Sequence, residues 1–299
     1  MHEYTARHFD DLCRDPSIAG EIQANEEKRR KAAGRFWLLL VGGIVIGLLV
    51  IVSLVGSGWP VIGMIAGIGV IIVAIIAGVK PLTAAKEDLK HPVLESLARA
   101  GGMEYIPSGF DPPVFPSASR ILFGGISSYA FTDLFHGTDA DGRRFAVYEG
   151  TLTKRAGKNT VTVFTGQLYA FQRRATGTGE TAIVPDKGLF NFIKPSGMER
   201  VKFEDPDFER KFEVYSNQPP SATMLVGSDV RRKLLELRQA GRVFVYIGPE
   251  DVLVAIWGGN RFEPGSMFRS RAGQERVKLM FDDVCAAMGT LRQLKTAFD

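Results

Sequence analysis

Apolar side chains fill the chain from Phe36 to Val79 with no charged residue among them, and beyond Val79 polar and apolar positions alternate on shorter periods. A helix rising about 1.5 Å per residue needs roughly 20 apolar residues to cross a bilayer core. Phe36–Val55 and Val61–Val79 each supply that length, and Ser57-Gly58-Trp59-Pro60 between them holds turn formers and a proline. The pattern predicts a hairpin of two membrane helices. Residues 1–35 read as a polar helix or partly ordered arm feeding into the first span.

After Pro81 a short helical stretch runs to His91-Pro92, and another covers Val93 to Ala100 before a glycine cap at Gly101-Gly102. Pro107 to Ser119, rich in Pro, Ser and Gly, reads as a connector. From Ile126 the period becomes strand-like. Tyr129–Phe135, Arg144–Leu152 and Thr160–Phe171 are rich in aromatic and β-branched residues, with turns at Asp139-Ala140-Asp141-Gly142 and Gly157-Lys158-Asn159. This is an antiparallel meander. Shorter strands are expected near Thr181–Val184, Arg200–Phe203 and Phe212–Tyr215. Ser228 is expected to cap a helix through Arg238, closed by Gly241, with Val230, Leu234 and Leu237 on one face. Val243–Ile247 and Val252–Trp257 form a β pair, and Val277, Phe281, Val284, Met288, Leu291 and Leu294 recur at helical steps through a last helix over Gln274–Phe298.

The fold class is therefore α+β: a transmembrane helical hairpin, then a cytoplasmic domain with mainly antiparallel sheet and a C-terminal amphipathic helix. The expected divisions are an arm at 1–35, the hairpin at 36–79, juxtamembrane helices and a linker at 80–119, and the α+β domain at 120–299. Within the hairpin, Gly43-xxx-Gly47 and Gly63-xxx-Gly67 place small residues four apart, which lets membrane helices approach closely. The two helices of one chain are the expected partners, with dimerisation between chains as the alternative.

Charge adds an orientation. The formal net charge is only +4, but Arg29, Arg30, Lys31 and Arg35 precede the first span and Lys80 and Lys86 follow the second. The loop between the spans is uncharged. Positive flanks stay on the cytoplasmic side, so both termini are expected in the cytoplasm, with Trp37 and Trp59 at opposite interfaces. Two cysteines, Cys13 and Cys285, fit a reducing compartment and give no disulfide framework or metal spacing. No clustered basic face for nucleic acid stands out beyond the membrane flanks. Membrane lipids and a protein partner, or a second copy of the chain, are the expected partners.

Candidate chemistry is thin. His136, Asp139 and Asp141 form the densest set of potential metal ligands, although Asp-x-Asp-Gly between two strands is what a hairpin turn requires. Gly177-Thr178-Gly179-Glu180-Thr181-Ala182 has dinucleotide-fingerprint spacing, but an extended Ile183-Val184-Pro185 follows where a helix is needed. Cys285 reads as a buried thiol on the last helix, and Glu204-Asp205-Pro206-Asp207 with Glu209 as a capped turn. Arg261, Phe262, Phe268, Arg269 and Arg271 combine basic and aromatic character in a glycine-bearing loop, which suits an anionic headgroup or a partner protein. The plainer reading of that loop is a crossover from strand to helix. No catalytic set and no cofactor motif emerges. A binding or scaffold module is favoured, ahead of a tethered metal-dependent enzyme or a PH-like lipid-binding barrel plugged by the last helix.

The segment Val201 to Ser216, above all Phe212-Glu213-Val214-Tyr215-Ser216, resembles a bacterial family of two-span membrane proteins catalogued as a domain of unknown function. Val163-Phe164-Thr165-Gly166 and Ile183-Val184-Pro185-Asp186 carry the same resemblance. It implies membrane attachment and a cytoplasmic α+β domain, and brings no catalytic residues. Asn217-Gln218-Pro219-Pro220 departs from the family's pattern, so the strand before it is expected to end early.

Overall fold

A computed structural model describes residues 16–174, 177, 179–186, 195–268 and 273–299. Its described residues form two compact units, one of residues 16–96 with 263–282, the other of residues 97–262 with 283–299.

In the first unit, α1 (Pro16–Gly56) and α2 (Pro60–Ala100, whose last residues belong to the second unit) are packed together. The turn between them closes through Gly58, at φ +84°, with Trp59 N donating to Leu54 O at 2.9 Å. Gly47 and Gly67 set the approach of the two helices. A Cβ on Gly47 would lie 2.8 Å from the Gly67 carbonyl oxygen, and one on Gly67 would lie 2.5 Å from the Gly47 oxygen. Gly43 meets Ala74, and Gly63 meets Leu54. Both helices are long and apolar enough to cross a membrane, and only 11% and 17% of their most apolar windows is buried. Buried core helices of a soluble protein would hide those side chains.

The helix α2 corrects one expectation, because Pro81 and Pro92 lie inside a single helix instead of dividing it. Each proline removes one intrahelical bond, yet Leu82, Ala85, Leu89, Val93, Leu94 and Leu97 are all buried and hold the rod together. It ends in a Schellman cap: Gly102 sits at φ +67°, Met103 N reaches Ala98 O at 2.8 Å, and Gly102 N reaches Arg99 O.

The second unit is built on one nine-stranded, fully antiparallel sheet in the order β1-β2-β3-β4-β9-β8-β5-β7-β6. Its strands are β1 (Glu104–Ser108), β2 (Ser128–Thr138), β3 (Arg144–Ala156), β4 (Asn159–Gln172), β5 (Thr181–Pro185), β6 (Glu199–Val201), β7 (Phe212–Ser216), β8 (Val243–Ile247) and β9 (Asp251–Trp257). The order is linear, with β1 and β6 at its borders, so the PH-like closed barrel is not formed among the described residues. Both border strands are blunt: β1 contains Pro107, and β6 has three residues.

Short helices decorate this sheet: α3 (Phe115–Leu122), α4 (Pro206–Glu209), α5 (Pro219–Leu225) and α6 (Ser228–Arg238). A long last helix, α7 (Gly273–Phe298), contributes its second half to this unit. There Val284, Met288, Leu291 and Leu294 are buried and Phe298 meets Phe171 edge to face. The strand β7 does stop at Ser216, with α5 starting at Pro219. At α6 the cap differs from expectation: Gly227 holds the N-cap position without a side-chain bond, and Gln239, not Gly241, closes the helix. Glycine at that position leaves Ser228 already inside the first turn.

Candidate functional site

One face of the sheet is only partly covered, and that shortfall makes a groove. The helix α3 is eight residues long and buries Phe115, Ala118 and Leu122 on the aromatic end of the face, beside Phe131, Phe164 and Phe244. At the other end the strands continue without a lid. Ala146 on β3 stands opposite His136 on one side and Ala170 on the other, and Ala170 stands opposite Leu253. Two alanines side by side leave a trough where larger residues would fill the space. The resulting open groove has a volume of about 980 Å³, at the upper end of the range typical of ligand sites.

Its closed end is aromatic and rigid. Tyr148 donates to Pro113 O at 2.9 Å, and the Phe110 ring packs on Tyr148 at 5.9 Å and on Phe131 at 6.4 Å. Burial pushes the Tyr148 phenol well above its ordinary pKa, which keeps it a neutral donor. The rim carries both signs of charge. Arg99, Arg144 and His136 line it together with Glu104, Asp111 and Asp251. His136 Nε2 lies 3.5 Å from a Glu104 carboxylate oxygen. Burial raises the Asp251 carboxyl above its usual range, against the pull of Arg144 and with a further push from Glu250.

The sequence-derived metal set does not assemble. Asp139 caps its own turn, with Oδ1 accepting from Asp141 N and Arg143 N at 2.9 Å each. Its Oδ2 is held by Lys295 and, at 3.2 Å, by Arg143. Burial raises the Asp139 carboxyl, but the Lys295 bond, the Arg143 N–H and the two cations outweigh it and hold it below the usual range. Asp141 pairs with Arg143 and Arg174, and His136 is turned to the groove. Among the described residues these three form no common ligand cluster.

The loop residues divide. Phe262 is fully buried against Phe135 at 5.1 Å, so it belongs to the core and not to an exposed contact surface. Its backbone N–H and that of Arg261 donate to Glu149 Oε1, at 3.3 and 2.5 Å. Phe268 is 48% exposed and packs on Phe36 at 4.8 Å, while Arg269 and Arg271 lie outside the described residues. Of the membrane flanks, Arg30, Arg35, Lys80, Trp37 and Trp59 are exposed. Arg29 is not: at 5% exposure it pairs with Glu26 and donates to Met267 O at 3.0 Å. Lys31 pairs with Glu27, and Lys86 with Glu263. Cys285 is half-buried.

Sequence reasoning passed over two buried carboxylates, Glu149 and Asp133. Asp133 sits in a β-bulge between Thr132 and Phe135, at φ +57°, and accepts from the Tyr105 hydroxyl at 2.7 Å. A Glu in the middle of the apolar run Phe145–Leu152 was the available signal.

Residues 162–296, from β4 through most of α7, match the family described as "Protein of unknown function (DUF3137)". The matched segment includes Phe212–Ser216. No curated protein matches the sequence. Among solved structures, the crystal structure of the mycobacterial trehalose monomycolate transport factor A, TtfA, is similar at TM-score 0.36 and 12% identity, over 68% of this chain and 96% of that one.

Proposed function

We propose that this chain is a two-span bacterial inner-membrane protein whose sheet domain is a non-catalytic binding module, and that its groove receives a segment of a partner protein. The anchoring rests on α1 and α2, with their exposed apolar faces. The basic residues Arg30, Arg35 and Lys80 beside those faces favour cytoplasmic termini.

The observation that carries the binding role is the groove itself. A groove lined by apolar residues together with Arg99, Arg144, Glu104, Asp111 and Asp251 suits a peptide that presents apolar side chains and charges of both signs. A lone anionic headgroup would meet as many repulsive groups as attractive ones.

Site-specific photocrosslinking on the full-length protein in cells tests this. A photoreactive residue at Thr138, on the rim, is expected to trap an adduct that Gln172→Trp or Ile106→Trp abolishes by filling the trough. The same residue at Lys202 gives no such adduct. Adducts of equal yield from Thr138 and Lys202, or a Thr138 adduct that survives both tryptophans, refute the proposal.

A further inference from the structure

The β3–β4 hairpin extends past the strands on both sides of it. Pairing of β2 with β3 stops at Ser128 opposite Thr153, and pairing of β4 with β9 starts only at Gly166. From Lys154 to Val161 the two strands therefore pair only with each other: Lys154 opposite Val161, Arg155 opposite Thr160, and Ala156 opposite Asn159. Gly157, at φ +63°, supplies the first central residue of the two-residue turn. An isolated two-stranded ribbon is marginal in water; this one buries nothing beyond Leu152 and Phe164, and its base is tied to the loop before β2 by Arg155 N donating to Ser127 Oγ at 2.7 Å and Lys154 Nζ donating to Gly124 O at 3.3 Å.

What the ribbon carries is positive charge. Lys154, Arg155 and Lys158 are all exposed on it, and Arg120 is exposed on α3. Among the described residues none of the four is in an ion pair. The sequence has no Asp or Glu from Gly150 to Gly179, nor from Pro112 to Thr132, so the patch has no acidic neighbour along either stretch. Beside it Tyr129 is 60% exposed and Val161 49% exposed, although the Tyr129 ring still packs on Phe115 and Phe131. An unneutralised cation cluster with an amphipathic ring is the composition that anionic bilayer surfaces attract.

We infer that the tip of the β3–β4 hairpin, with Arg120, docks on the anionic lipid surface of the bilayer that α1 and α2 enter. This rests on the reading of those helices as membrane spans, and it is independent of the groove. A lipid contact made by a chain already anchored is intramolecular, so even a weak electrostatic contact is populated. Each Lys or Arg near such a surface contributes about 1 kcal/mol, or about a fivefold change in the docked-to-free ratio. The attraction falls away within a Debye length of about 8 Å at physiological salt.

The test uses the full-length chain in vesicles, with a nitroxide at Asn159→Cys on a Cys13→Ser, Cys285→Ala background. In an equimolar mixture of phosphatidylcholine and phosphatidylglycerol the label is expected to be shielded from a water-soluble relaxation agent. In phosphatidylcholine alone it is exposed. Each of Lys154→Gln, Arg155→Gln and Lys158→Gln is expected to lower the docked-to-free ratio about fivefold. Arg210→Gln and Arg232→Gln, whose side chains already pair with Asp207 and Asp229, leave it unchanged. Equal accessibility in both lipid mixtures, shielding that survives the triple glutamine variant, or shielding that requires added oligonucleotide would each overturn the inference. Carbonate extraction of the same vesicles reports on the anchoring separately, so a failed span and a failed contact give different results.

Discussion

Replacing Asp139 by asparagine removes one negative charge and almost no volume, at the point where the β2–β3 turn meets the end of α7. The asparagine oxygen still accepts from the backbone of Asp141 and Arg143, so the turn itself survives. What is lost is the carboxylate oxygen that holds Lys295 and Arg143. Arg143 keeps Asp299 at 2.6 Å and Asp141 at 3.3 Å. Lys295 loses its acidic partner while its side chain is only 9% exposed. Stripping one member from a fully buried pair costs about 3–5 kcal/mol. Asp139 retains some solvent access, and the Lys295 ammonium stays within 5.8 Å of the Phe145 ring, so the expected loss is about 2 kcal/mol. For a domain of this size that lowers the midpoint of thermal unfolding by about 4–8 °C. Thermal scans of the detergent-solubilised chain read it directly, and hydrogen exchange should quicken in the last turn of α7. The pH dependence has a definite sign. Because the folded Asp139 carboxyl is held below its ordinary value, its stabilisation is complete above the unfolded-state pKa of about 3.9 and fades as pH falls through the folded value. The gap between wild type and Asp139→Asn should therefore close below about pH 4. An unchanged midpoint at pH 7, or a gap that persists in acid, refutes the reasoning.

Glu149→Ala leaves two backbone donors, at Arg261 and Phe262, without their carboxylate. Because bonds to a charged group are worth about 1.5–3 kcal/mol each, a loss of about 3–6 kcal/mol is expected for the two, with faster amide exchange at those two positions. Gly67→Leu forces a side chain into the Gly47 backbone. Spin labels at Ile44→Cys and Ile72→Cys should report a longer and broader interhelical distance, and an unchanged distribution would show that the glycines do not set the packing.

Where a strand follows from local chemistry, the sequence was a sufficient guide. Val243–Ile247 and the β3–β4 pair are runs of β-branched and aromatic residues between clear turns, and they form as expected. The border strand β1 has no such signal. It contains Pro107 and is drawn into the sheet by β2, with Tyr105 opposite Phe135 and Ile106 opposite Leu134. The helix α3 sat in a stretch whose prolines and serines read as a connector, yet Pro116 falls in its first turn, where proline is tolerated. The groove was invisible for another reason. It arises because Ala146 and Ala170, 24 positions apart in sequence, are brought opposite each other by register. The basic hairpin tip was present in the letters as Lys154-Arg155-Ala156-Gly157-Lys158. It gained meaning only once the ribbon was seen to outrun its neighbours. Phe262 misled in the opposite direction, since an aromatic next to an arginine in a glycine-bearing loop gives no sign of which way its ring turns.

The position of β4 has a consequence for how such domains can be divided. The matched family segment begins at Thr162, inside the strand that joins β3 on one side to β9 on the other. A chain begun there would keep β4 through β9 and lose β1–β3, turning an interior strand into a border with an open row of N–H and C=O groups from Phe164 to Gln172, and neither proline nor brevity to discourage pairing. The three N-terminal strands thus act as a selvedge, the finished margin that keeps a woven sheet from unravelling into its neighbours. Any relative that carries the segment without them must hem that side by other means, or join a second molecule along it.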